Sequence, residues 1–190
     1  MKKHLLTLVA IFGLGTASFA QMGPVSLGVE LALPLGDFAE VNPLGYGLSV
    51  GYEHPVGEKL GITAQLGYIM LAVDDEFSDF VDRSSMLPIQ AGVKYYFTER
   101  GNGPYAHGQI GVHSLSITTK DIDLGPLGTI EGETESESYL SFAIGAGYEL
   151  NNKLDIGLRF NVITPDSDIE DAEASNYIGL RVAYNLFGGE

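Results

Sequence analysis

The sequence predicts an all-β chain folded as an eight-stranded antiparallel up-and-down transmembrane β-barrel. Three observations carry that expectation. An export signal opens the chain, eight segments alternate apolar and polar residues with period two, and the links between them are short and long by turns. At 190 residues the chain has material for one domain. It contains no Cys, which excludes a disulfide framework and any Cys-held metal or redox site. Lys and Arg number 10 against 25 Asp and Glu, a formal charge of -15. That surplus of carboxylates repels phosphate backbones, so no nucleic-acid partner is expected. With 45% hydrophobic residues the chain is too apolar for an acidic disordered segment.

Lys2 and Lys3 precede an apolar run from Leu5 to Leu14, and Ser18 and Ala20 supply the small residues of a signal-peptidase site. The run is half the roughly twenty residues that a spanning helix needs. Residues 1–20 therefore read as a cleaved signal peptide, and residues 21–190 as one barrel domain. Cleavage removes two lysines and leaves 8 bases against 25 acids, or -17.

The first strand is expected over Val25–Leu33, where Val25, Leu27, Val29, Leu31 and Leu33 oppose Gly28 and Glu30. The second, Gly45–Glu53, sets Tyr46, Leu48, Val50 and Tyr52 against Gly47, Ser49, Gly51 and Glu53. The third runs from Leu60 to about Val73, with Ile62, Ala64, Leu66, Tyr68 and Met70 against Gly61, Thr63 and Gln65. In the fourth, Leu87–Phe97, Ile89, Ala91, Val93, Tyr95 and Phe97 oppose Gln90, Gly92, Lys94 and Tyr96. The fifth, Tyr105 to about Thr118, opposes Ala106, Ile110 and Val112 to Tyr105, His107, Gln109 and His113, and its parity blurs beyond Ser114. The sixth, Leu140–Leu150, has Phe142, Ile144, Ala146 and Tyr148 against Ser141, Gly145, Gly147 and Glu149. The seventh, Leu154–Val162, opposes Ile156, Leu158 and Phe160 to Asp155, Gly157, Arg159 and Asn161. The eighth, Tyr177–Leu186, has Ile178, Leu180, Val182 and Tyr184 against Gly179, Arg181 and Ala183. Short links fall at His54–Lys59, Glu99–Pro104 and Asn151–Lys153. Long polar links fall at Pro34–Leu44, Asp74–Ser85, Lys120–Glu137 and Thr164–Ser175. In an outer-membrane barrel that pattern puts both termini in the periplasm and four long loops outside the cell.

Alternation alone also fits a soluble lipocalin-like barrel. The polar face, however, is mostly Gly, Ser and Ala with a few charges, which suits a narrow crowded lumen better than a wet exterior. Tyr52, Tyr95, Phe97, Tyr148 and Tyr184 lie on the apolar face near the short-turn ends, where they would form an interfacial girdle. Tyr46, Tyr68, Phe142 and Phe160 suit the opposite girdle, and Tyr177–Tyr184 has the form of a terminal-strand assembly signal.

The lumen face collects acidic Glu30, Glu53, Glu149 and Asp155 and basic Lys94, Arg159 and Arg181. An eight-stranded interior is just wide enough for side chains to fill. Buried charges there are expected to pair into a structural plug, with a selective ion path as the alternative. No catalytic constellation competes. Gly47-Leu48-Ser49-Val50-Gly51 matches the nucleophile-elbow pattern but lacks its following helix. His113 and Ser114 are adjacent on one strand and so face opposite sides, which weighs against a lipid hydrolase. His107 and His113 are about 20 Å apart along a strand, too far for one metal. Eighteen of the 25 acids fall in the four long links, opposed there by Arg83 and Lys120, which makes a cation-attracting rim. Within it Asp166, Asp168, Glu170 and Asp171 form a candidate divalent-cation loop, although the EF-hand Gly and helices are missing.

Pro34-Leu35-Gly36-Asp37-Phe38 followed by Gly45-Tyr46-Gly47, and then Leu87-Pro88-Ile89 through Gly92-Val93-Lys94-Tyr95-Tyr96-Phe97, resemble the small bacterial outer membrane beta-barrel (porin-like) family. Pro104-Tyr105-Ala106 and the closing Tyr177–Phe187 strand agree, although Gly188-Gly189-Glu190 departs from the usual ending. The resemblance covers essentially all of residues 21–190 and implies an exported outer membrane protein. It implies a structural or surface-interaction role, through envelope integrity or adhesion by the acidic loops, rather than an enzyme. A narrow channel for ions or very small solutes is the alternative. No cofactor is expected. The expected partners are outer membrane lipid and divalent cations at the loops, with the barrel a monomer.

Overall fold

The computed structural model describes residues 23–78, 80–123, 129–130, 132–164 and 174–187. The expected signal peptide lies outside them. The described elements are β1 (Val25–Leu35), α1 (Asp37–Val41), β2 (Gly45–Val56), β3 (Leu60–Leu71), β4 (Val81–Tyr96), β5 (Gly103–Thr119), β6 (Ile122–Asp123), β7 (Thr129–Ile130), β8 (Thr134–Leu150), β9 (Leu154–Ile163) and β10 (Ser175–Phe187). Eight strands close into one barrel in the order β1-β2-β3-β4-β5-β8-β9-β10, with β10 returning to β1. Every neighbouring pair is antiparallel. β6 and β7 add a two-residue ribbon to the link between β5 and β8.

Polarity separates this barrel from the soluble alternative. Val29 is 54% exposed, Leu48 59% and Ile144 69%, whereas Glu30 is 2% exposed and Arg159 4%. A water-soluble barrel would reverse those values, because apolar area in water is unfavourable by about 25 cal/mol per Å2. The apolar face is the outside. Tyr95, Phe97, Tyr148 and Tyr184 are exposed on it toward the short-turn end, and Tyr46, Tyr68, Phe142 and Phe160 toward the other. Tyr95 and Phe97 meet edge to face with centroids 5.6 Å apart.

Most strand boundaries differ from the sequence reading by one to three residues, and two strand starts differ by more. β4 starts at Val81 and β8 at Thr134, three periods of alternation earlier than expected from Leu87 and Leu140. β3 stops at Leu71, opposite Ser84, and β9 stops at Ile163, opposite Ser141. Beyond those rims β4, β5 and β8 continue together as a three-stranded extension. α1, five residues long, folds in the first long link and packs Phe38 against the barrel interior.

The short-turn end is made by residues that accept left-handed backbone. Asn151 and Asn152 have φ of 51° and 57°, and the Lys153 N–H donates to the Leu150 carbonyl at 2.9 Å. Two consecutive positive φ values match the right-handed twist of the strands they join. Inside, Gly147 on β8 and Gly157 on β9 are register partners. A Cβ on either would lie 2.3 or 2.6 Å from the Tyr105 hydroxyl, so the two glycines form the hollow that accepts this ring.

Candidate functional site

The lumen is filled in three layers. Nearest the short turns, Lys94 of β4 reaches across to three carboxylates from three other strands. Its ammonium lies 2.6 Å from Asp155, 3.0 Å from Glu149 and 3.4 Å from Glu53. It also sits 3.9 Å from the centroid of the Tyr105 ring, where the π face favours a cation. The Tyr96 hydroxyl bridges Glu53 at 2.9 Å and Glu149 at 2.5 Å. Tyr105 donates to Asp155 at 2.6 Å, and Asn185 Nδ2 donates to the second Glu149 oxygen at 2.9 Å. The layer therefore sets three carboxylates against one ammonium, with phenol and amide donors compensating the excess.

Above it the balance is reversed. Arg159 donates to Glu30 at 2.7 Å, and Arg181 Nε lies 3.3 Å from the other Glu30 oxygen. Gln65 joins them, donating to Glu30 at 2.8 Å and accepting from Arg159 at 2.8 Å. Arg159 also reaches Gln109, while Arg181 donates to Ser49 at 2.9 Å and Ser26 at 2.8 Å. Ser49, the centre of the elbow-like motif, is thus a hydrogen-bond acceptor inside β2. Between the two charged layers is a cavity of about 50 Å3, lined in part by Glu53, Thr63, Gln65, Lys94, His107 and Arg159. Glu53 Oε1, Thr63 Oγ1 and His107 Nε2 are buried there without a protein hydrogen bond. The space accommodates a few water molecules, the usual means of satisfying such atoms.

The third layer, toward the long links, is apolar. Ala32, Ile69, Leu71, Met86, Ile163 and Tyr177 form one buried cluster, with Phe38, Leu115 and Tyr139 packed against it. His113 and the Tyr177 hydroxyl are 2.8 Å apart at its lower edge, and His113 is fully buried.

The seven lumen charges expected from parity, Glu30, Glu53, Lys94, Glu149, Asp155, Arg159 and Arg181, are all brought together in the two lower layers. Asp166, Asp168, Glu170 and Asp171 lie outside the described residues. Among the described residues no group of three or more His, Asp or Glu side chains is placed to hold a metal ion. Sequence reasoning did not single out Tyr96, Tyr105, Gln65 and Asn185 as network members, nor the apolar layer at all. The signal for that layer was present in Tyr68-Ile69-Met70-Leu71 and Val162-Ile163, where alternation gives way to consecutive apolar residues.

This architecture has relatives. The N-terminal β-barrel domain of Pseudomonas aeruginosa OprF superposes with a TM-score of 0.59 at 15% identity, covering 87% of this chain and 98% of that one. Ail, the attachment invasion locus protein of Yersinia pestis, gives 0.60 at 13% identity over 85% of this chain and 95% of its own. Neisserial surface protein A gives 0.55 at 15% identity, with coverages of 85% and 96%. These likenesses are of fold. No curated protein matches the chain in sequence. A family profile, described as the outer membrane protein beta-barrel domain, matches residues 5–185. The closed wall of antiparallel strands with an apolar exterior agrees with that match, and the chain belongs to the outer membrane β-barrel family.

Proposed function

We propose that the protein is a non-conducting barrel that contributes to envelope integrity and presents its acidic loops for surface interaction, with no enzymatic role. The observation that carries this reading is the stacking of a fully buried apolar layer on two layers of paired charges. An ion crossing it would have to displace Ile69, Met86, Ile163 and Tyr177, each no more than 2% exposed, and the side chains of Ile69, Met86 and Ile163 offer nothing that replaces its hydration. The alternative is a narrow conduit for ions or very small solutes, supported by the water-sized cavity below the apolar layer.

Planar-bilayer recording on the purified full chain separates the two. The expected result is electrical silence at moderate voltage. Stable, reproducible conductance steps would overturn the plugged-lumen reading. A double variant, Ile69→Ala with Met86→Ala, adds a positive control. Removing both side chains opens the tightest layer, so conductance that appears only in this variant identifies the apolar layer as the barrier.

A further inference from the structure

The ionised side chains of the two lower lumen layers do not cancel. Glu30, Glu53, Glu149 and Asp155 stand against Lys94, Arg159 and Arg181, so four carboxylates meet three bases and one negative charge is left over. The phenol and amide donors around them spread that charge without removing it. An uncompensated charge in a low-dielectric interior is costly, so the lumen lacks one positive charge.

The hydrogen bonds show where it is lacking. The two oxygens of Glu30 accept from Gln65 and Arg159, and those of Asp155 from Tyr105 and Lys94. The two oxygens of Glu149 accept from Asn185 and Lys94, and Glu53 Oε2 accepts from Tyr96. Among these carboxylates only Glu53 Oε1 is buried without a protein donor. It belongs to the layer in which three carboxylates share one ammonium. Thr63 Oγ1, also buried without a partner, is beside it: Glu53 on β2 and Thr63 on β3 are register partners, and their side chains stand together on the lumen wall. Gly61, the preceding lumen position of β3, leaves the space that Glu53 Oε1 occupies, since a Cβ there would collide with this oxygen. Both residues line the cavity of about 50 Å3 between the charged layers. At roughly 10–15 Å3 per occupant, that space takes one ion and a few waters.

We propose that the cavity holds one partly dehydrated alkali cation, bound by Glu53 Oε1, Thr63 Oγ1 and enclosed water. Carboxylate, hydroxyl and water are the hard oxygen ligands that such an ion takes. A single charge closes the balance. Lys94 and Arg159 line the same cavity, so a divalent ion would overshoot that balance and meet stronger repulsion. Lys94 itself is turned to the other oxygen, 3.4 Å from Glu53 Oε2. A proton on Glu53 or on His107 would also balance the charge, and it is the other outcome of the test. The inference goes beyond the plugged-lumen reading and does not rest on it, because the charge count is the same whether or not the lumen conducts.

The test is urea unfolding of the refolded full chain in zwitterionic micelles at fixed pH. It is run in sodium chloride and in N-methylglucamine chloride of matched ionic strength, the organic cation being too large for the cavity. A ligand that binds only the folded barrel stabilises it with the logarithm of its concentration. The unmodified chain should therefore unfold at higher urea with each rise in sodium, and should not respond to N-methylglucamine. Glu53→Gln, balanced without an ion, should unfold at the same urea in both salts. It keeps every acid of the rim, so a response that came from the loops would survive in it. Thr63→Val should need several-fold more sodium for the same rise. Heat-modifiable gel migration shows that each variant has folded, and the comparison of salts on the unmodified chain needs no variant. Equal midpoints in the two salts for that chain overturn the proposal and leave a proton or water in the cavity. A sodium response that persists in Glu53→Gln overturns the cavity as its seat, and an undiminished one in Thr63→Val overturns Thr63 as a ligand.

Discussion

Lys94 is the residue on which the lower lumen depends. Its removal in Lys94→Met leaves Glu53, Glu149 and Asp155 facing one another in a buried space. Breaking a buried ion pair by removing one partner costs about 3–5 kcal/mol. A urea titration of the refolded barrel in micelles should show its midpoint fall accordingly, and Lys94→Met/Asp155→Asn should recover part of the loss. Tyr96→Phe is the gentler probe. It deletes the hydroxyl between Glu53 and Glu149, hydrogen bonds to charged groups worth about 1.5–3 kcal/mol, while keeping the ring. Equal stability of Tyr96→Phe and the unmodified chain in the same titration would show that the bridge carries nothing. Which residues face the lumen was legible from period two alone, because a one-residue error would have put Glu30 or Arg159 in lipid. Which residue pairs with which was not. Lys94 and Asp155 are 61 positions apart and meet across the lumen, so their contact depends on barrel closure and register, quantities that no local pattern encodes.

At the scale of elements, the turn at Asn151-Asn152 and the long starts of β4 and β8 teach opposite lessons. The turn was legible because Asn is among the few side chains that tolerate left-handed backbone. Asn152→Gly should therefore be nearly neutral, whereas Asn152→Val should lower the unfolding free energy in the same urea titration by about 1–2 kcal/mol, the left-handed penalty for a residue with a branched Cβ. The starts of β4 and β8 were not legible. Asp82-Arg83-Ser84-Ser85 and Thr134-Glu135-Ser136-Glu137-Ser138 read as loop because neither carries an apolar face. They are strands all the same, held by β5 through the ladder rather than by an apolar face of their own. Alternation reports a boundary between two solvents, and it disappears where hydrocarbon ends on one side. The apolar layer escaped for a related reason: Ile69 and Leu71 stand on lumen positions whose chain neighbours are also apolar, and Met86 and Ile163 each have one such neighbour, so little contrast marks them.

For the molecule as a whole, eighteen of 25 acids fall in the sequence of the four long links, and those among the described residues lie at one pole of the barrel. Divalent cations are the counter-ions such a rim suits, since carboxylates are the hard ligands that calcium prefers. Millimolar calcium should raise the thermal stability of the purified barrel more than sodium matched in ionic strength. Equal responses would leave a diffuse field, screened over a Debye length of about 8 Å at physiological salt. The layered lumen also constrains how the protein can be made. Lys94 on β4 needs β2, β8 and β9, and Glu30 on β1 needs β9 and β10, so every charged group draws its partner from a strand that is remote along the chain. A sheet of six or seven strands would already present its lipid face, yet until it curls shut these groups could not reach their counterparts across the lumen and would stay open to whatever medium surrounds it. Little of the interior's stabilisation is then available until the last seam, β10 on β1, has formed. Assembly should accordingly lack a long-lived half-built sheet: the chain either completes the ring or falls back, and the ladder pairing Glu30 with Arg181 is the final stitch.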